Sequence, residues 1–89
     1  MKTINSKAQL KREIKNGTPI KFLTIKNSVL PDEVGTVREL GQTQQTNAFT
    51  IKREQKGKMV DSYVWYDQID VKNNHVIFKK IGIEFGILV

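Results

Sequence analysis

The apolar periodicity of this chain changes once, and that change sets its fold class. Leu10 and Ile14 stand one helical turn apart, whereas from Ile20 onward apolar residues fall into short stretches with a period of two. Ser6 to Gln9 has the capping-box pattern, in which a serine oxygen accepts a free backbone N–H and a glutamine three residues on reaches back to the cap. The pattern predicts a helix within about 6–16, running from Lys7 to Lys15, with Asn16-Gly17 as its left-handed exit. A helix of about nine residues does not persist alone in water, so it must dock through Leu10 and Ile14.

The β region covers about 19–89. Its first strand, Ile20 to Lys26, carries apolar residues on both faces, which a bulge or a barrel corner would explain. Asn27 to Glu33 reads as a loop with Pro31-Asp32 as its turn. Val34 to Leu40 is a second strand, and the polar run Gly41 to Asn47 turns into a third, Ala48 to Arg53. Glu54 to Lys58 reads as a hairpin loop with Gly57 at positive φ, followed by a fourth strand, Met59 to Tyr66. Asp67 to Val71 is expected to form a single helical turn, and Asn73-Asn74 a turn into a fifth strand, His75 to Lys80. Ile81, Ile83, Phe85, Ile87 and Val89 then alternate strictly. One short helix before five or six short strands predicts a single domain over 1–89 of α+β, mainly β class: a small antiparallel sheet, or a barrel of SH3-like or OB-like kind.

A chain of 89 residues buries roughly 60 to 65% of its unfolded surface, which provides one small core and little room for a deep pocket. Cysteine is absent, so neither a disulfide framework nor a thiolate metal site is available, and a reducing cytoplasm is the expected setting. No apolar run has the length of a signal segment or a membrane span, so no membrane partner is expected. His75 is the single histidine, no serine stands in a nucleophile elbow, and Asp61, Asp67 and Asp70 match no calcium loop. Gly82 and Gly86 interrupt a strand and read as a bulge or a close backbone contact rather than as a phosphate cradle. The expectation is therefore a binding module with no catalytic residue, metal or cofactor.

Charge narrows the kind of partner. Residues 1–26 hold Lys2, Lys7, Lys11, Arg12, Lys15, Lys21 and Lys26 against the single acid Glu13, which accounts for the entire net charge of +6. On a helical wheel Lys7, Lys11 and Lys15 line one flank of the docking stripe over about 12 Å, with Arg12 behind them. Such a row suits phosphates, with Lys21 and Lys26 as extensions on the first strand, although it serves equally as a solvated helix face. Gln42, Gln44, Gln45 and Asn47 are candidates for a recognition loop, or for an ordinary polar turn. Among the aromatics, Trp65 is expected in the core, and Tyr66, beside Asp67, at the surface where it could stack on a base.

Arg38 to Leu40, then Gln45 to Phe49, then Ser62 to Tyr66 carry a pattern that resembles a group of small bacteriophage and mobile-element proteins, over about residues 35–70. The resemblance implies a small β-rich fold and a phage or mobile-element origin, with no activity to carry over. Two functions are expected of such a chain. One is nucleic-acid binding through the basic helix. The alternative is a phage module that inhibits a host protein or defence system, anti-CRISPR-like, in which the helix meets an acidic host protein or an exposed sheet edge adds a strand to it. A third expectation is self-assembly through Ile81 to Val89. The sequence favours no oligomeric state.

Overall fold

The structure, a computed structural model, describes residues 1–25, 34–79 and 82–88. Lys26, the loop 27–33 with its Pro31-Asp32 turn, and Lys80, Ile81 and Val89 lie outside the described residues.

Helix α1 (Lys7–Glu13) starts where the cap predicts: Ser6 Oγ accepts the Gln9 N–H at 3.1 Å. The glutamine reaches one residue further back than in a capping box, its Oε1 accepting the Asn5 N–H at 2.9 Å while its Nε2 donates to Thr3 O at 2.8 Å. The helix ends earlier than the sequence implies, with Ile14 already extended (φ −78°, ψ 118°). Side chains from elsewhere occupy the groups that a further turn would have used. The Thr18 hydroxyl donates to Glu13 O at 3.2 Å and accepts the Lys15 N–H at 2.8 Å, and Gln42 Nε2 donates to Ile14 O at 3.0 Å. Lys15 therefore does not extend the helical row of Lys7 and Lys11. Gly17, at φ 90°, makes the left-handed turn into the sheet.

Among the described residues the sheet has seven strands, β1 (Thr18–Ile25), β2 (Val37–Gln42), β3 (Ala48–Gln55), β4 (Lys58–Trp65), β5 (Asp70–Lys72), β6 (His75–Phe78) and β7 (Ile83–Ile87). Their spatial order is β4-β3-β2-β1-β7-β6-β5, every neighbouring pair is antiparallel, and the sheet curls into a half-barrel. The two-residue turns Lys56-Gly57 (φ 53° and 78°) and Asn73-Asn74 (φ 53° and 66°) have both central residues at positive φ, the geometry that matches strand twist in tight hairpins. A register shift between Phe22 and Thr24, where β1 pairs with β7, is the irregularity that the two-faced apolar pattern of β1 implies. The helical turn expected over Asp67 to Val71 is instead a 3-10 turn at Tyr66–Gln68 followed by β5. Three residues suffice for β5 because β6 supplies its pairing, Asp70 opposite Ile77 and Lys72 opposite His75.

The concave side holds the core. Leu10 from α1, Ile14 just past it and Ile4 before it are buried against Ile20, Leu40, Phe49, Val64, Ile69, Val76 and Phe85, so the helix fills the hollow of the half-barrel. Phe85 meets Phe22 and Phe49 edge-on, each at 6.4 Å between ring centroids. The N-terminal segment is fastened across the far limb, where Lys2 N–H donates to Ile87 O at 2.7 Å and Ile4 N–H donates to Asn74 Oδ1 at 3.1 Å. Gly86 lies under Met1, and a side chain there would overlap the methionine sulfur.

Two expectations are overturned. The strand expected to mediate self-assembly is interior: Ile83, Phe85 and Ile87 are core residues and β7 is paired on both sides. The aromatics also exchange places. Trp65 follows buried Val64, so alternation puts it on the outer face, half-buried, with its ring 6.3 Å from that of Tyr63. Tyr66, which begins the 3-10 turn, folds back against the core with its ring 5.2 Å from that of Phe49.

Candidate functional site

One end of the half-barrel gathers residues from three separate stretches of the chain. The β2–β3 loop turns at Thr43, whose hydroxyl donates to Gln45 O at 2.8 Å and accepts the Gln45 N–H at 3.1 Å. This local bracing leaves Gln44, Gln45, Thr46 and Asn47 exposed. Asn47 O accepts the Tyr66 N–H at 3.0 Å, which ties the loop to the 3-10 turn, and Asn16 Oδ1 accepts the Gln42 N–H at 2.8 Å, which ties it to the exit of the helix.

Between these parts lies an open groove of about 310 Å³. Ile14, Ala48 and Phe49 form its floor, and Gln42, Thr43, Gln45, Thr46, Lys11 and Tyr66 form its walls. The Lys11 ammonium sits 4.8 Å from the centroid of the Tyr66 ring, a cation–π contact of about 0.5–1 kcal/mol at an exposed site. Burial raises the Tyr66 phenol above its ordinary pKa, so it is a neutral hydrogen-bonding group at physiological pH.

The bases beside the groove are poor in acids. Glu13 is taken by Lys2, with Nζ to Oε2 at 2.7 Å, and that hydrogen bond holds the carboxyl below its usual range. Among the described residues no carboxylate is within ion-pair distance of Lys7, Lys11, Arg12 or Lys15.

Of the residues the sequence singled out, Lys11, Gln42, Gln45 and Tyr66 line this one groove. Gln44 and Asn47 share its loop without lining it, Lys7 and Arg12 stand on the helix, and Lys15 lies just past it. Lys21 is exposed on β1 opposite Val37 and Gly86, away from the groove lining. Lys26 is outside the described residues. The Gln42 carboxamide already donates to the helix end, so its part is structural, and Gln45 is the amide of the groove wall left free to reach a ligand. Thr43 and Thr46 were concealed within the polar run, because only the curvature of the loop shows which of its side chains turn inward.

Known protein families, characterised proteins and solved structures were compared with the chain, and none matches. The site is thus read from its own chemistry. A cation, a phenol, hydroxyls and the Gln45 amide above an apolar floor can hold an anionic group at Lys11 and a planar or polar group beside it. The remaining basic residues continue outward along the helix. No helix among the described residues is long and apolar enough to cross a membrane.

Proposed function

We propose that the chain is a small non-enzymatic nucleic-acid-binding domain of phage or mobile-element origin, with phosphates held by Lys7, Lys11, Arg12 and Lys15. The observation that carries this reading is the meeting of bases that have no acid partner among the described residues with Tyr66 and the Gln45-bearing loop around one groove. The phosphates neutralise the helix end, and the groove receives a single unpaired nucleotide beside them. Gln44, Gln45 and Asn47 offer exposed amides to base edges. The phage or mobile-element origin rests on the motif resemblance over about residues 35–70.

Affinity in this scheme comes mainly from counterion release. Four neutralised phosphates give a slope in log affinity against log salt of about −3.6 on duplex DNA and about −2.8 on a single strand, roughly a hundredfold or a fiftyfold loss for a fourfold rise in salt. Titration of labelled single- and double-stranded DNA and RNA at low and moderate salt tests it. Salt-dependent binding that weakens in a folded Lys11→Glu/Lys15→Glu variant supports the reading. Absence of binding at low salt, or binding indifferent to that variant, overturns it. A stoichiometric protein partner recovered from nuclease-treated lysate in the latter case would put a host-protein inhibitor in its place.

A further inference from the structure

Strand β4 forms one end of the sheet, and among the described residues nothing pairs with its outer side. The two-residue turn at Lys56-Gly57 makes Gln55 and Lys58 a hydrogen-bonded pair, so Val60, Ser62 and Val64 also direct their backbone groups to β3. Met59, Asp61, Tyr63 and Trp65 therefore send their N–H and C=O groups outward. The strand has eight residues without a register shift, without proline, and with Asp61 as its only interior charge. Those are the features of an edge prepared for pairing rather than guarded against it. Its outer face is apolar as well, with Met59 58% and Tyr63 54% exposed.

We propose that β4 pairs antiparallel with β4 of a second copy of this chain, with Ser62 on the two-fold axis. The strand is its own complement in this register and in neither neighbouring one. With Asp61 on the axis, two carboxylates face each other directly, which is destabilising. With Tyr63 on the axis, the overlap shortens and Met59 loses its partner. With Ser62 on the axis, Met59 meets Trp65, Asp61 meets Tyr63, and all outward backbone groups of Met59 to Trp65 are paired. The same register brings the basic hairpin tip, with exposed Lys56 and Lys58, to the turn of the second copy that carries exposed Asp67. Charge complementarity at both ends thus selects a second copy as occupant. The pairing is isologous and closed, and it makes one continuous sheet from two half-barrels.

Sedimentation equilibrium of the whole chain from micromolar to millimolar concentration tests the proposal. The expected result is a mass that rises with concentration from 10.2 kDa to twice that value. Tyr63→Asp sets a new carboxylate against Asp61 and is expected to weaken association more than tenfold. Adding Asp61→Lys to it restores association, and Tyr63→Lys alone preserves it. Hydrogen exchange of the Met59, Asp61, Tyr63 and Trp65 amides gives a readout free of variants, with protection expected to grow with concentration. A monomer mass at every concentration overturns the proposal, as does a dimer indifferent to Tyr63→Asp, or outward amides that exchange fast wherever a dimer is present.

Discussion

The two ends of the half-barrel treat charge in opposite ways. On the β5–β6–β7 limb, a hollow of about 530 Å³ is lined by Asp70, Val71, Lys72, Ile77, Lys79 and Glu84, two acids beside two bases. Lys79 meets Asp70 at 3.3 Å, and His75 Nδ1 stands 3.2 Å from Glu84 Oε2. At the α1 end the groove is smaller, its bases lack acid partners among the described residues, and exposed Lys11 is held only over an aromatic ring. The hollow with the greater volume is therefore the less reactive surface. Exposed ion pairs contribute about 0–1 kcal/mol to stability, but they do cancel the local field, and an uncancelled field is what attracts a polyanion.

The strongest way to break this contrast is to remove the floor of the groove. Phe49 is fully buried between Tyr66 and Phe85, and Phe49→Ala is expected to cost about 3–5 kcal/mol in denaturant unfolding. A cost under 1 kcal/mol would mean that the α1 end is not packed on this ring. The next test reverses charge on each limb in turn. Lys7→Glu/Lys11→Glu/Arg12→Glu should reduce the salt slope of duplex DNA binding from about −3.6 to about −0.9, while Lys72→Glu/Lys79→Glu leaves it unchanged. Equal losses from the two sets would replace a local site by diffuse attraction.

A smaller effect compares two glycines. At Gly41 a Cβ would lie 2.6 Å from the hydroxyl of buried, β-branched Thr50, so Gly41→Ala should cost about 1–3 kcal/mol. At Gly86 the obstacle is the end of an exposed methionine that can swing away, so Gly86→Ala should cost less than about 1 kcal/mol despite the closer overlap. Thermal melts of the two variants order them.

The smallest effects are titrations of opposite sign. Glu13 is held below its ordinary pKa, so its contribution to stability is present at neutral pH and fades as pH falls through the lowered value. Lys2→Met should remove that part of the acid sensitivity. Tyr66 is raised, so its contribution is intact below about pH 10 and is lost as pH rises through its folded value. In the ultraviolet titration of the folded protein, Tyr66→Phe should delete a phenol transition lying above the ordinary tyrosine value.

Signals that act within a few residues were legible in the sequence. Ser6 and Gln9 located the start of α1, and Gly57 and Asn73-Asn74 located two hairpins, because caps and left-handed turns need only their own residues; the loop expected over Glu54 to Lys58 is shorter, since β3 and β4 pair up to Gln55 and Lys58. The end of α1 was not legible, since it is set by Thr18 and by Gln42 across the fold. Strand β5 was missed because three residues carry no periodicity and its identity comes from β6. Trp65 was expected inside because tryptophan is usually buried, but its place in the strand, one residue after buried Val64, decides the face it takes. Of the candidate site, the residue types were visible one by one. The convergence of Lys11, Gln45 and Tyr66 depends on the antiparallel return of β3 and β4, which no local pattern specifies.

The position of β7 has a consequence for how the chain reaches this shape. It is the last of the seven strands to leave the ribosome, yet it lies between β1 and β6. The β1–β4 meander can zip as it emerges, but its β1 edge remains bare, and the β5–β6 hairpin has nothing to lean on, until β7 arrives to join them. Its pairing of Ile20 with Ile87 joins the two ends of the β region, a far less local step than the hairpins around it and one expected to be slower. During synthesis the nascent half-sheet thus passes through a period of exposure in which sticky edges, rather than marginal stability, govern its fate.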